Sequence, residues 1–288
     1  MMIGRRMVTS AGLALLVTRS GPARAEETFA MLEAQSGGRL GVAALDTGSG
    51  RQFGTRATER FPLCSTFKLL LAGSVLARVD AGQEKLDRIV QFTRAQLVPY
   101  SPATGPAADG PGMRVGALCE AAVTLSDNTA ANLLLGSMGG PAGLTRFIRS
   151  LGDEVTRLDR TEPTLNEAVP GDPRDTTTPA DMVRDMQRLV LGDALSRASR
   201  GQLVTWLRAN KTGDKRLRAG VPPGWQVGDK TGTGERGTAN DAGILWPPGG
   251  RAPILVAAYL TGATERTPAE RDATLAGVGR IVAATVAG

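Results

Sequence analysis

The sequence predicts a mixed α+β protein with two lobes: an antiparallel five-stranded sheet flanked by the terminal helices, and an all-helical lobe. Strand patterns occur near residues 39–54 and again after residue 220, whereas helical patterns fill the middle of the chain. Because both chain ends supply the sheet, we expect a discontinuous sheet domain at 26–60 and 210–288 and a helical domain at 61–209. Active and ligand-binding sites often lie in the cleft between two lobes, so we expect the functional site there.

The individual elements follow from hydrophobic spacing and turn residues. Phe29 and Leu32 in EETFAMLEAQSGG recur at helical spacing before a glycine pair, and RLGVAALDTGSGRQFG predicts a β-hairpin around a Gly/Ser turn. Six further helices are predicted over STFKLLLAGSVLARVDAG, VGALCEAAVTLS, NTAANLLLGSMGG, PAGLTRFIRSLG, PADMVRDMQRLVLG and SRASRGQLVTWLRAN. An antiparallel meander over WQVGDKTGTG, NDAGILW and PILVAAYLTG precedes a last helix over TPAERDATLAGVGRIVAATV.

One long segment has no periodic pattern. It lies between Leu158 and Thr178, contains RTEPTLNEAVPGDPRDTTT, and is rich in Pro, Thr and Asp. A loop of this length without secondary structure is usually either functional or disordered, so it is a candidate part of the site.

Composition excludes several kinds of chemistry. The 288 residues include no histidine, which excludes a Ser-His-Asp triad, a Cys-His dyad and an HExxH metal motif. Two cysteines are too few for a tetrahedral thiolate site, so we expect no metal and no cofactor. The formal charge is +6, but 34 basic residues are interspersed with 28 acidic ones and only 4% of residues are aromatic. We therefore expect no nucleic-acid binding.

The N-terminus has the pattern of an export signal at 1–25. Arg5 and Arg6 precede an apolar run at 11–17, and Ala23-Arg24-Ala25 provides small residues for cleavage. GRRMVTS also resembles a twin-arginine signal loosely, so the export route stays open. We expect a periplasmic or secreted protein, soluble there and with no membrane contact in its mature form, since no second hydrophobic span follows.

Ser65 and Lys68 in CSTFK raise the possibility of a serine nucleophile without histidine. At i and i+3 on a helix the two side chains share a face, so the lysine can reach the hydroxyl. The helix N-terminus would stabilise negative charge on the serine oxygen or on an oxyanion. A helix-capping serine beside a surface lysine is the simpler interpretation of this pair alone.

Two more short motifs favour a nucleophilic serine over a helix-capping one. Ser126-Asp127-Asn128 falls in a polar turn between two predicted helices, where cap residues are also common. Lys230-Thr231-Gly232 lies on a predicted strand, and glycine in a strand often marks the close approach of a ligand. Each motif is weak alone, but the three in this order are a strong combination.

Glu162 and Asn166 in EPTLN, within the long loop, are spaced so that both can hold one water. With this pair and the three motifs, the chain resembles the class A serine β-lactamases of the serine β-lactamase and penicillin-binding protein superfamily, whose omega loop would lie here at 157–175. A solvated surface glutamate would be the interpretation without the other motifs. The resemblance runs from about residue 26 to the end, and implies a β-lactamase/transpeptidase-like fold.

The resemblance implies catalytic roles for five residues. Ser65 would be the acylated nucleophile, and its proton acceptor would be either Lys68 directly or Glu162 through a water. Glu162 with Asn166 would activate the deacylating water, and Ser126 would pass a proton to the departing lactam nitrogen.

The same resemblance implies the substrate contacts. Asn128 would hold the side-chain amide of the substrate, and Lys230 would pair with its carboxylate. Thr231 and Thr233 would add hydroxyl bonds to that carboxylate. The backbone N–H groups of Ser65 and Thr233 would form the oxyanion hole.

Supporting roles are implied for four more residues. Arg160 and Asp175 match a salt bridge that closes the omega loop. Tyr100 matches an aromatic wall of the cleft, and Arg216 matches an arginine that supplements carboxylate binding in some members. Each also has a plain alternative, as a surface ion pair, an exposed tyrosine or an exposed arginine.

The cysteines depart from the family pattern. Spacing alone leaves open whether Cys64 and Cys119 pair. Some class A members bridge a cysteine before the nucleophile to one after the KTG strand, but Gly234 stands there; others use the nucleophile helix, where Ala72 and Gly73 stand. We therefore expect two free thiols.

The resulting hypothesis is a monomeric enzyme that hydrolyses β-lactam antibiotics by serine acylation and Glu162-assisted deacylation. A penicillin-binding D,D-peptidase is the nearest alternative, and the pairing of Glu162 with Asn166 argues against it. A non-catalytic β-lactam-binding sensor would need a membrane-linked output module, and an amidase with a Ser-Ser-Lys arrangement would not need the omega loop or the KTG strand.

Overall fold

A computed structural model describes residues 21–287 of the chain. The charged and apolar regions of the predicted export signal lie outside the described residues, and its last residues, from Gly21 to Ala25, begin the first helix. Within the described part, no helix is both long and apolar enough to cross a membrane.

Five strands form one antiparallel sheet in the order β2-β1-β9-β8-β7. The bounds of these strands are Arg39–Asp46 for β1, Gln52–Thr55 for β2, Gln226–Gly234 for β7, Thr238–Trp246 for β8 and Ile254–Thr261 for β9. Both ends of the chain contribute strands to the sheet: the hairpin β1–β2 comes from near its start and the meander β7–β8–β9 from near its end. This confirms the predicted fold class.

The remaining elements lie mainly between the two halves of the sheet. The helices are α1 (Gly21–Ser36), α2 (Phe67–Asp80), α3 (Thr104–Ala107), α4 (Val115–Thr124), α5 (Asn128–Gly136), α6 (Gly140–Ser150), α7 (Pro179–Val190), α8 (Arg197–Arg208), α9 (Leu217–Gly220) and α10 (Pro268–Ala287). Short strands are β3 (Phe61–Pro62), β4 (Ile89–Val90), β5 (Met113–Arg114) and β6 (Thr176–Thr177). Every predicted long helix is present, whereas the two-residue strands were not predicted.

Alternation along the central strands explains why the sheet is buried on both faces. Leu40 and Val42 of β1 belong to a core with α1 and α10, whereas Ala43 and Leu45 belong to the core of the helical lobe. Strand β9 divides in the same way, because successive side chains of a strand point to opposite faces. The two cores fix the sheet between the terminal helices and the helical lobe. The domain boundaries at 60 and 210 stay a prediction.

The short ribbon β3–β6 ties the two functional segments together. Phe61 pairs with Thr177 and Pro62 with Thr176, so the chain just before Ser65 is joined to the end of the long loop. Leu63 N also donates to the carbonyl oxygen of Asp175 at 2.8 Å. The loop is thus held against the turn that carries Ser65 by backbone hydrogen bonds.

Candidate active site

Ser65 lies in a tight turn that leads into α2. Residues Cys64–Thr66 form a 3₁₀ turn, and Cys64 has a φ of 43°, an unusual value for a residue with a side chain. The Thr66 hydroxyl donates to Leu63 O at 2.7 Å and closes the turn. Ser65 is half-buried and lines the cavity described below, while its two neighbours are buried.

Lys68 lies one turn further along and is fully buried. Its Nζ donates to Ser65 Oγ at 3.0 Å, to Ser126 O at 2.9 Å and to Asn128 Oδ1 at 2.6 Å. It also lies 2.8 Å from Glu162 Oε1. Burial lowers the pKa of the Lys68 ammonium, and the Glu162 carboxylate opposes that shift. Lys68 therefore connects all the helical-lobe motifs at one nitrogen.

Glu162 approaches Ser65 from the loop. Its Oε1 accepts from Ser65 Oγ at 3.1 Å, and its Oε2 accepts from Asn166 Nδ2 at 2.5 Å. A 3₁₀ turn at Thr164–Asn166 brings the amide back to the carboxylate. Glu162 is only 2% exposed, so this carboxylate faces the serine and not the solvent.

Asn132 is a site residue that sequence reasoning missed. Its Oδ1 accepts from Glu162 N at 3.0 Å, and its Nδ2 donates to Glu162 O at 2.9 Å. The available signal was its spacing, because Asn132 follows Asn128 by four residues and shares its face of α5. Asn132 thereby fixes the backbone of Glu162 to the helical lobe.

Lys230 reaches the site from strand β7. Its Nζ donates to Ser126 Oγ at 3.0 Å and to Thr231 O at 2.9 Å, and its side chain is fully buried. Burial and the nearby Lys68 charge hold the pKa of Lys230 well below its ordinary value. Ser126 is therefore placed between two buried lysines, with Lys68 Nζ at 3.4 Å from the same hydroxyl.

These groups face a cavity of about 360 Å³. Its walls come from both lobes and from the long loop: Ser65, Tyr100, Ser126, Asn128, Asn166, Thr212, Arg216, Thr231 and Thr233. Lys68, Glu162 and Lys230 stand directly behind the serines. Tyr100 is 61% exposed at the rim, and Thr212 was not predicted to belong to the site.

Arg216 lines the cavity, but its guanidinium is already engaged by the protein. It donates to Gly232 O and to Asn240 O, each at 2.7 Å, and to Thr233 Oγ1 at 2.8 Å. Its Nε donates to Asp272 Oδ1 of α10 at 2.8 Å. Arg216 is only 8% exposed. Its hydrogen bonds to Gly232 and Thr233 stabilise the end of β7, and its guanidinium also contributes positive charge to the cavity.

A buried carboxylate closes the loop that carries Glu162. Asp175 Oδ2 accepts from Arg160 Nε at 2.6 Å, and its Oδ1 accepts from the backbone N–H groups of Asp159 and Arg160 at 2.8 and 2.9 Å. Asp175 is 1% exposed, and hydrogen bonds satisfy both of its oxygens. The ends of the loop are thus held together at a single residue.

Both cysteines are free and buried, as expected. Burial raises the pKa of the Cys64 and Cys119 thiols, which disfavours the nucleophilic thiolate form. A Cβ at Gly234 would lie 2.7 Å from Cys64 Sγ and 2.8 Å from Asn166 O. The glycine therefore allows β7, the turn that carries Ser65 and the loop to meet.

Comparison with known proteins identifies the family. The family model described as "Beta-lactamase enzyme family" matches residues 24–286. β-Lactamase AST-1 of Nocardia asteroides is 50% identical over 258 residues, which are 90% of this chain and 82% of the relative. The carbapenem-hydrolyzing β-lactamase KPC of Klebsiella oxytoca is 50% identical over 256 residues, 88% of this chain and 86% of the relative. The chain belongs to the β-lactamase family.

Solved structures narrow this to one class. An ancestral class A β-lactamase is 64% identical with a TM-score of 0.88, covering 90% of this chain and 98% of its own. The class A β-lactamase of the last common ancestor of Gram-negative bacteria is 63% identical with a TM-score of 0.89, covering 91% of this chain and 99% of its own. This protein is accordingly a class A β-lactamase, a hydrolase of β-lactams.

Proposed function

We propose that the enzyme opens the β-lactam ring by acylating Ser65 and that Glu162 drives hydrolysis of the resulting ester. One observation carries this proposal: Ser65 Oγ lies 3.0 Å from Lys68 Nζ and 3.1 Å from Glu162 Oε1. These are hydrogen-bond distances to two groups that can each accept the serine proton when unprotonated.

Acylation begins with removal of the Ser65 proton. The lowered pKa of Lys68 makes its neutral amine more accessible, which favours it as a direct base. Glu162, acting through a water, is the other candidate. Because Lys68 Nζ and Glu162 Oε1 are 2.8 Å apart, a proton accepted by one can be passed to the other. The two candidates are therefore parts of one proton path.

The lactam nitrogen receives its proton from Ser126. As Ser65 Oγ forms a bond to the lactam carbonyl carbon, the C–N bond breaks and the nitrogen needs a proton. Ser126 Oγ lies 3.4 Å from Lys68 Nζ and 3.0 Å from Lys230 Nζ. Ser126 gives its proton to the nitrogen and recovers one from the lysine pair.

Deacylation uses the loop face of the site. Glu162 and Asn166 hold a water against the ester of Ser65, and Glu162 takes its proton while the oxygen attacks the acyl carbon. The ester C–O bond then breaks, and the proton returns to Ser65 Oγ. The hydrogen bond from Asn166 to Glu162 Oε2 supports this arrangement, because it leaves Oε1 for the reacting atoms.

Substrate contacts line the rest of the cavity. The substrate carboxylate lies against Lys230, Thr231, Thr233 and Arg216, where positive charge is concentrated. The side-chain amide of the substrate lies against Asn128, with Tyr100 at the rim. The backbone N–H groups of Ser65 and Thr233 receive the oxyanion; loss of one such donor typically slows acylation by about 10²–10³-fold.

The structural roles and cellular context complete the proposal. Arg160 and Asp175 hold the omega loop closed, and the enzyme works as a monomer without a cofactor. Export removes the chain up to about Ala25 and delivers a periplasmic or secreted enzyme with no membrane contact; the arginine pair and apolar run of the N-terminus support this. Cleavage there would leave most of α1 in place.

Two serines of one segment provide the test. Ser65→Ala is expected to abolish hydrolysis of a penicillin and its covalent attachment. Ser74→Ala is the matched control, since Ser74 is a buried serine of α2 whose hydroxyl bonds only within the helical lobe, to Leu71 O at 2.7 Å and the Met138 sulfur at 3.4 Å. Penicillin hydrolysis by Ser65→Ala at a rate near that of Ser74→Ala would overturn the assignment of the nucleophile.

A further inference from the structure

A chain of four side chains runs from a buried carboxylate to the cavity. Asp229 Oδ2 accepts from Asn210 Nδ2 at 2.9 Å, and Asn210 Oδ1 accepts from Thr212 Oγ1 at 2.8 Å. Thr212 Oγ1 then lies 2.5 Å from Thr231 Oγ1. Asp229, Asn210 and Thr231 are buried, whereas Thr212 is half-buried and lines the cavity with Thr231.

The donor and acceptor capacity of each group sets the direction of the hydrogen bonds in this chain. The backbone N–H of Thr212, which can only donate, points at Asn210 Oδ1 at 3.0 Å and so identifies that atom as the oxygen. The Thr212 hydroxyl has one hydrogen, and it goes to the same oxygen. If Thr212 gave that hydrogen to Thr231 instead, two oxygens 2.8 Å apart would face each other with lone pairs only. Thr231 must therefore donate to Thr212.

The Thr233 hydroxyl differs from that of Thr231, because it accepts a hydrogen bond from the protein instead of donating one. Arg216 donates to Thr233 Oγ1 at 2.8 Å, and a guanidinium has no acceptor atom. The Thr233 hydrogen is thus left for another acceptor, and Thr233 is exposed at the cavity wall. Of the two threonines beside the proposed carboxylate subsite, Thr233 can donate at once, whereas Thr231 presents lone pairs.

We propose that Thr212 is a positioning residue that withholds the Thr231 hydroxyl hydrogen from the substrate carboxylate and so weakens ground-state binding. The inference rests on the proposed function, because it needs the carboxylate to lie against Thr231 and Thr233. To donate to the substrate, Thr231 must break its bond to Thr212. Thr212 then acts as a competitor for one hydrogen bond in the carboxylate subsite.

Removal of the competing acceptor is the direct test. Thr212→Val keeps the branched shape and deletes the hydroxyl, while Thr212→Ser keeps the hydroxyl and is the matched control. Binding of an intact penicillin is measured by calorimetry in a full-length Ser65→Ala background, where no ester forms. Thr212→Val is expected to lower the Kd about three- to ten-fold, the value of one hydrogen bond, and Thr212→Ser to leave it unchanged.

A double variant separates this mechanism from general loosening of the site. The gain in affinity should disappear in Thr212→Val/Thr231→Val, because the freed hydroxyl is then absent. An unchanged or higher Kd in Thr212→Val, or a gain that survives in the double variant, would overturn the inference. A loosened site would weaken binding, which is the opposite of the expected result.

Thr233→Val distinguishes failure of the inference from failure of the proposed function. It should raise the Kd of the free acid and leave that of the penicillin methyl ester nearly unchanged. If Thr233→Val has no effect on the acid, the carboxylate lies elsewhere and the proposed subsite fails with the inference. If Thr233→Val raises the Kd of the free acid but Thr212→Val does not lower it, the carboxylate subsite stands and only the role of Thr212 is wrong.

Discussion

Lys68 Nζ and Glu162 Oε1 lie 2.8 Å apart, with both side chains fully shielded from solvent. Both atoms are within hydrogen-bond distance of Ser65 Oγ: Lys68 Nζ lies at 3.0 Å and Glu162 Oε1 at 3.1 Å. A buried ion pair is stable only when its remaining polar atoms are satisfied. Here Ser126 O and Asn128 Oδ1 accept hydrogen bonds from the lysine nitrogen, which holds the pair beside Ser65.

Removal of the lysine should slow acylation above all. Lys68→Met keeps an unbranched side chain, one atom shorter, but deletes the amine, so Ser65 loses its nearest nitrogen base. We expect the single-turnover acylation rate to fall about 10²–10⁴-fold, the usual contribution of a positioned acid–base group. Lys215→Met, at an exposed lysine, is the matched control and should acylate at the normal rate. Acylation by Lys68→Met within a few-fold of normal would contradict the assignment.

Opening the omega loop should affect deacylation more than acylation. Asp175→Ala leaves three donors without their buried acceptor and releases Arg160; we expect a loss of about 2–4 kcal/mol in the free energy of unfolding. The second partner of Arg160, Glu167, is 44% exposed, so Glu167→Gln should cost less than about 1 kcal/mol. Urea denaturation and single-turnover kinetics check both variants, and equal losses would argue against Asp175 as the closing residue.

A single methyl group at Gly234 tests how closely three segments meet. The Cβ of Gly234→Ala would lie 2.7 Å from Cys64 Sγ and 2.8 Å from Asn166 O, so the loop must shift. Overpacking of this kind costs about 1–3 kcal/mol, and displacement of Asn166 should slow deacylation. Gly201→Ala, in α8 with nothing within 4 Å of the added Cβ, should be neutral or slightly stabilising. Normal melting and turnover in Gly234→Ala would contradict the packing described.

Asp185 should make the stability of the enzyme depend on pH. Burial raises the pKa of this α7 carboxyl to about 9, with Asp153 and Asp181 adding to the shift and Arg184 opposing it. The folded state therefore keeps a proton that an aspartate of the unfolded chain, with a pKa of about 3.9, gives up. The stabilisation is fully present below that lower pKa and is lost as the pH rises to about 9.

Asp185→Asn removes this titration. Relative to the unmodified enzyme, the variant should gain stability steadily from pH 5 to pH 9, as measured by urea midpoints. Asp193→Asn changes an exposed aspartate and should give a curve parallel to that of the unmodified enzyme. A constant difference between Asp185→Asn and the unmodified enzyme across this range would show that Asp185 is ionised throughout.

Periodic patterns predicted the long elements because each core position is repeated many times along a helix or strand. Phe29 and Leu32 of α1, which recur at helical spacing and pack in the same core, are an example. The ribbon β3–β6 was not predictable in this way, because a two-residue strand has no period and depends on the loop that pairs with it.

The sequence motifs predicted the main residues of the site but not the residues that hold them in position. Ser65 and Lys68 share a local helix, so their contact follows from spacing. Asn132 and Thr212 act through tertiary contacts with Glu162 and Thr231, and an asparagine or threonine has many other uses in a helix or turn. Sequence also gave no sign that the Arg216 donors are taken by backbone carbonyls, because those carbonyls meet only in the folded sheet.

The central claim is that Glu162 hydrolyses an ester formed on Ser65, and the mass of one variant tests it most directly. Glu162→Ala, mixed with a penicillin and analysed by intact mass spectrometry and peptide mapping, should carry one persistent penicilloyl group on Ser65. Glu154→Ala, at a glutamate whose side chain is 80% exposed, should turn over without accumulating an adduct. Rapid penicillin turnover by Glu162→Ala with no adduct on Ser65 would contradict the mechanism.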